Sequence, residues 1–431
     1  MSAARVEPSW MTADRDKAKA RLESMKWPQT SEERWRRTDV SRLSLDSYTV
    51  NSNGYSEAGL AATPREVDCG PHAGILRFDA GRCTECALNG FCKQRGVRLL
   101  PLSLALEEFE SPLRTLFAER LESLEDRFGA WHAWTWSHGA FLFVPRGVEV
   151  PEPFLLEMTE AGSGIVSSPH VTVVLEEGAR ACVVQRLLES GTGSGSAGPG
   201  LLCNAGIDLS LGAASGVKYF EEQRLGSRSL YFRETRAHLE KDASFAGLEV
   251  SLGSRVVKTD SEATMNGRGA DVHLRGLYFC GRDQHMDIAS VQRHNAPSAS
   301  SRAYYKGAVD SGGRTVFQGL IEVAKSASGT DAFLTNRNLI LGDAARADSI
   351  PTLKIGNNDV KCSHGSTTGR LSDEELFYLE SRGLSRVEAR EMLVIGYFEE
   401  LLDEAPEGMR ESSIGAVRER LQQAARQERA A

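Results

Sequence analysis

Cys362 and His364 are the residues whose types and spacing best suit chemistry. They lie in Val360-Lys361-Cys362-Ser363-His364-Gly365, a segment that reads as a strand, and residues two apart on a strand share a face. Val360, Cys362 and His364 therefore point one way, and Lys361 and Ser363 the other. A thiolate and an imidazole spaced roughly 7 Å apart along the strand axis are both competent ligands for iron or zinc. Protein metal sites commonly recruit three or four ligands. A site built on this pair must therefore complete itself from elsewhere in the fold or from a partner chain.

A second group is Cys83-x-x-Cys86-x5-Cys92, with Cys69 and His72 upstream. Two thiolates two residues apart can grip one zinc ion or one iron of an iron–sulfur cluster. A strong zinc signature repeats the C-x-x-C, and here it does not recur, so buried thiols packed as small hydrophobes are the simpler reading. A third group is His273, His285 and His294, with Asp271 and Asp287, in consecutive strand-like segments. Histidines and a carboxylate on adjacent strands can build a non-haem metal site. His273, His285 and Asp287 thus define a rival reading, a β-solenoid or β-barrel metalloenzyme. The tight H-x-D spacing is missing, which favours hydrogen-bonded or surface histidines. Gly191 to Gly200 is glycine-rich but lacks the lysine and Ser/Thr of a phosphate-binding loop, and no G-x-S-x-G elbow occurs.

The elements that would position these groups change character along the chain. Ala18, Leu22 and Met25 form a helical stripe that Pro28 ends. Thr30 with Glu33 has capping-box spacing, and Ser111-Pro112 opens a helix carrying Leu113, Leu116, Phe117, Leu121 and Leu124. From about residue 139 to 370, helical periodicity gives way to short β-branched and aromatic runs between glycine, serine and asparagine punctuation, as in Val171 to Leu175 and Leu274 to Phe279. Such a stretch leaves a sandwich, a barrel or a solenoid. Helices return with Ser372/Glu375 and Ser385/Glu388 as N-terminal caps, and Pro406 precedes a last helix. The expected organisation is 1–60 N-terminal helical, 61–138 mixed α/β with the cysteine-bearing segment, 139–370 β core and 371–431 C-terminal helical.

The 431 residues carry a net charge of −8, which gives no footprint for nucleic acid. No apolar run is long enough to span a bilayer, the N-terminus has no apolar signal core, and eight cysteines are too few for a disulfide scaffold. A reduced cytoplasmic setting is expected.

The segment Asn336 to Gly369, with Ser372-Asp373-Glu374-Glu375-Leu376-Phe377-Tyr378-Leu379 after it, closely resembles the SufB/SufD family of SUF iron–sulfur cluster assembly scaffolds, on its SufD side. So do His294-Asn295-Ala296-Pro297, Tyr304-Tyr305-Lys306-Gly307, Phe317-Gln318-Gly319-Leu320-Ile321, Gly139 to Gly147 and Glu33-Arg34-Trp35-Arg36-Arg37-Thr38-Asp39. SufB would be expected to carry a cysteine near Arg337-Asn338 and a His-Glu-Ala motif where Cys362-Ser363-His364-Gly365 stands, and neither is present. The resemblance implies a mainly β fold, a right-handed parallel β-helix flanked by helical regions. It also implies a non-catalytic scaffold that pairs with a SufB-like subunit and a SufC-like ATPase and delivers clusters to apo-proteins. On this reading His364, with Cys362, helps hold a nascent cluster or its iron, transiently and shared with SufB. Zinc or a cluster at Cys69, Cys83, Cys86 and Cys92 is the expectation for an accessory site. The C-terminal helices dock the ATPase, with Phe377, Tyr378 and Tyr397 as aromatic anchors. A flavin requirement and homodimer formation by the isolated chain are left open.

Overall fold

Strands of ten or so residues alternate between two eleven-stranded sheets, in a computed structural model that describes residues 7–50, 65–66, 72–190 and 198–430. One sheet takes Arg180–Glu189, Gly216–Arg224, Ser244–Ser251, Asp271–Cys280, Ser300–Val309, Thr330–Ile340 and Val360–Arg370 in order; the intervening strands, from Pro169–Leu175 to Arg346–Ile355, form the other. These strands run parallel to one another and in register within each sheet. The chain therefore winds as a β-solenoid of about eight turns.

The strands read as nearly continuous apolar or half-apolar runs because both faces of much of each sheet are covered. Inward side chains such as Leu209, Val272, Phe317 and Leu334 make one long core between the sheets. The outer face of the second-named sheet is covered by helices Glu110–Glu122 and Arg127–Thr135 and by the 33–48 segment, through Trp35, Phe128 and Phe232. The outer face of the other sheet is covered by Arg386–Leu402 and Glu407–Ala430, whose Val394, Phe398, Leu401 and Val417 pack on Phe220, Leu248 and Phe279.

The two ends of the solenoid differ. The first is closed by the antiparallel hairpin Gly74–Asp79/Arg82–Leu88 and by Arg98–Pro101. These strands lie within the stretch read as a connecting region. The last coil, Arg346–Ile355 and Val360–Arg370, has a paired strand on one side only, so each strand presents an open edge of backbone donors and acceptors.

The helix starts at Ser372 and Ser385 are as the spacing indicates, each serine accepting from the backbone N–H three residues on, and Gly383 takes the positive φ of a helix end. Thr30 and Glu33 do not start an α-helix. Glu33–Trp35 is a single 3-10 turn that follows Glu32 and has no side-chain cap, and Trp35 turns into the core. Most of the glycine-rich 191–200 loop lies outside the described residues. Among those described, no helix is long and apolar enough to cross a membrane.

Candidate scaffold site at the open end

Register fixes where Cys362 and His364 point. They pair with Ala332 and Leu334, both buried in the inter-sheet core, and in-register neighbours share a face. The two side chains therefore project into the mouth of the solenoid at its open end. Across the mouth, Ala347 and Leu353 pair with Thr315 and Ile321 and turn inward in the same way. Cys362 is half-buried against the core, and burial pushes its thiol above the ordinary range. His364 is exposed because no further coil covers it. The two side chains thus stand side by side at a mouth over which no further strand is laid.

Cys83 and Cys86 share a face because a bulge inserts Thr84 between the residues opposite Phe78 and Arg77. Both thiols turn inward. Cys86 Sγ donates to the Leu99 carbonyl (3.4 Å) and Cys83 Sγ lies 3.6 Å from the Glu85 carbonyl. Burial pushes Cys83 up to about 11, and burial with the neighbouring Cys83 pushes Cys86 up to about 12. Cys92 is fully buried, and Cys69 lies outside the described residues. Among the described residues, no three His, Cys, Asp or Glu side chains gather as a metal-binding group.

The His273/His285/Asp287 grouping is corrected by topology. His273 belongs to one sheet and His285 and Asp287 to the other. His273 Nε2 lies 3.3 Å from Asp271. Asp287 is buried, accepting from Thr38 (2.6 Å) and Gln318 (2.7 Å) beside Lys258 (3.2 Å), while His285 Nε2 meets the same Thr38 hydroxyl at 2.8 Å. These residues clamp the 33–48 segment to the sheet. His294 bonds Ser301 (2.8 Å), and burial lowers it to about 4.

The C-terminal aromatics divide. Phe377 and Tyr378 are 72% and 57% exposed on helix Asp373–Ser381. Tyr397 is half-buried instead, with the Lys306 ammonium over its ring and bonded to its carbonyl.

Two buried polar systems escape a reading along the sequence. Outside the sheet, Arg120 grips Asp208 (2.8 Å) and Glu234 (2.9 Å), and His170 lies between Asp208 and His132. Burial opposes ionisation of Asp208, but Arg120 and His170 outweigh it and hold the carboxyl far below its usual range. Inside the solenoid, Arg233 sits between Glu221 (3.2 Å) and Glu249. Burial, with Glu249 close by, raises Glu221 against the pull of Arg233. Gln185, Glu221, Glu249, Gly276, Tyr305, Asn336 and Ser366 form one inward column by register. Only alternation within each strand hints at it in sequence.

The chain is thus a two-sheet solenoid with helices on both outer faces and a Cys–His pair at its open end. Residues 158–397 match the model for the SUF system FeS cluster assembly, SufBD core domain. The chain belongs to the SufBD family. It is 32% identical over 304 residues to an iron–sulfur cluster assembly SufBD family protein of Mycobacterium tuberculosis, covering 69% of this chain and 72% of that one. It is 31% identical over 288 residues to the iron–sulfur cluster assembly protein SufD of Escherichia coli, covering 66% and 67%. A SufBD family protein of Staphylococcus epidermidis matches at 24% over 94% of this chain and 88% of its own length.

Proposed function

We propose that this chain is a SufD-like, non-catalytic scaffold subunit that pairs through its open last coil with a SufB-like subunit. Through its C-terminal helices it pairs with a SufC-like ATPase. The observation that carries the reading is the unpaired last coil with His364 exposed in its mouth. A partner coil laid on those edges would continue both sheets by strand addition and bring the missing ligands to Cys362 and His364. An iron–sulfur cluster assembled there is cargo, passed on to apo-proteins. Phe377 and Tyr378 supply exposed aromatic anchors for the ATPase, whereas Tyr397 holds the helix layer to the sheet.

Co-purification tests the pairing. Co-expressed with SufB-like and SufC-like chains, the tagged protein should elute as one complex from gel filtration. Phe377→Ala/Tyr378→Ala should release the ATPase and retain the SufB-like chain. Elution of the wild-type chain alone under these conditions overturns the scaffold reading.

A further inference from the structure

A groove of about 1030 Å³ runs along the outer face of the sheet that ends in Arg346–Ile355. Its floor carries Ala289, Val291, Leu320 and Ile350, outward residues of three successive strands. One wall carries Glu33, Glu119, Glu122 and Glu125; Glu33 is paired with Arg36 and Arg37 and Glu125 with Arg34, which leaves Glu119 and Glu122 as its open acids. Nine carboxylates and five cationic Lys or Arg side chains line the groove. The chain's own acids already occupy four of those cations: Arg34 with Asp260, Arg120 with Asp208, Arg236 with Glu234, and Arg293 with Glu262. Glu119 is half-exposed, and among the described residues its ion-pair contact is His238, at 3.9 Å. Glu122 is exposed and enters no ion pair among the described residues.

We propose that this groove docks a basic amphipathic helix of a client polypeptide. The charge left over is negative, which repels nucleic acid and anionic lipid and attracts lysine and arginine. The apolar floor suits the i, i+3, i+4 face of a helix laid in a groove. From Leu230–Leu239 to Arg346–Ile355 the groove crosses five neighbouring strands. At about 4.8 Å per strand gap that is roughly 19 Å, the length of a helix of about 13 residues. Its far end lies on the last strand of that sheet, beside the mouth that holds His364. A docked client would thus be held next to the place of cluster assembly. That last step rests on the scaffold reading; the docking itself does not.

The test uses the full isolated chain and a fluorescein-labelled 14-residue peptide of leucine and lysine, leucines at i, i+3 and i+4, read by fluorescence anisotropy. Saturable binding is expected at 0.1 M salt, weakening about tenfold at 0.5 M as screening shortens the reach of the wall charges. The same peptide with glutamate for lysine should not bind. Glu119→Lys/Glu122→Lys should weaken binding at least about fivefold, Leu320→Asp should do the same, and Glu177→Lys/Glu240→Lys, outside the groove, should change it less than about twofold. Each variant is checked by melting temperature, and Glu119→Gln/Glu122→Gln replaces the charge reversal if that variant unfolds. Absent binding, or equal loss in the groove and control variants, overturns the proposal. Neither result bears on whether the chain co-purifies with SufB-like and SufC-like subunits.

Discussion

His132 Nε2 lies 2.9 Å from His170 Nδ1, both rings wholly buried where helix Arg127–Thr135 meets the sheet. His132 Nδ1 donates to the Asn204 carbonyl (2.7 Å), and His170 Nε2 lies 3.0 Å from Asp208. Filling all three contacts with N–H donors takes three protons, one more than two neutral imidazoles carry, and Arg120 pairs with Asp208 beside them. Burial first, then the facing imidazole and Arg120, hold His132 well below its ordinary value; burial also lowers His170 despite Asp208. The pair pins the outer helices to the solenoid.

That burial sets an acid limit on stability. A histidine lowered in the fold takes up its proton first in the unfolded chain, so its contribution is complete above about pH 6.5 and is lost as pH falls toward the folded value. His132, His170, His285 and His294 all shift this way, and His294, lowered to about 4, alone accounts for about 3 kcal/mol between pH 6.5 and 4. Urea midpoints should drop between pH 7.5 and 5, and His294→Asn should flatten part of that slope. An unchanged midpoint across this range would show that the histidines titrate alike in both states.

Gly206 is required by the same pair. A Cβ there would stand 2.4 Å from His132 Nε2 and 2.6 Å from His170 Nδ1. Gly206→Ala should cost about 1–3 kcal/mol by overpacking and lower the melting temperature by several degrees. An unchanged melting curve would mean the helix layer yields freely at this point.

Arg233 is the corresponding test inside the solenoid. Removing one partner of a buried ion network leaves charge unpaired, typically at a cost of about 3–5 kcal/mol. Arg233→Ala should reach that range by chemical denaturation. Glu221→Gln should cost less, because the raised Glu221 carboxyl gives up its charge more readily.

Legibility in the sequence follows the range of the interactions. Cys362 and His364 share a face because strand alternation is local, and the capping serines Ser372 and Ser385 act within one helical turn. Tyr397 and Phe377 look alike in a helical stripe, and only packing against Lys306 separates the half-buried ring from the exposed one. His132 meets His170 across 38 residues, and Thr38 meets Asp287 across 249. No spacing rule spans such separations; the winding of the chain decides them. The same winding parts His273 from His285, which are only twelve positions apart.

The cysteine group bears directly on metal content. Zinc or a cluster at Cys83, Cys86 and Cys92, with Cys69, needs thiolates, yet Cys83 and Cys86 are held as thiols with values near 11 and 12. Metal there would have to displace the Cys86 bond to Leu99 and release protons. Elemental analysis of chain prepared anaerobically with zinc and iron supplied measures this, and Cys83→Ser/Cys86→Ser should remove whatever metal the group binds. A metal-free wild-type chain assigns these cysteines to packing alone.

His364 should matter for cluster formation and not for folding. Its side chain is exposed in the mouth, so its loss opens no cavity. His364→Ala should therefore shift stability by less than about 1 kcal/mol and leave assembly with SufB-like and SufC-like subunits intact. Cluster maturation in a strain dependent on this system should fall sharply, because one chain offers only two ligands and the imidazole is the exposed one. Cys362→Ala should do less harm to cluster yield, since its thiol packs against the core and burial disfavours the thiolate. Full complementation by His364→Ala rejects the site. Loss of subunit assembly in that variant would instead make His364 a packing residue of the interface, with the cluster ligands to be sought on the partner.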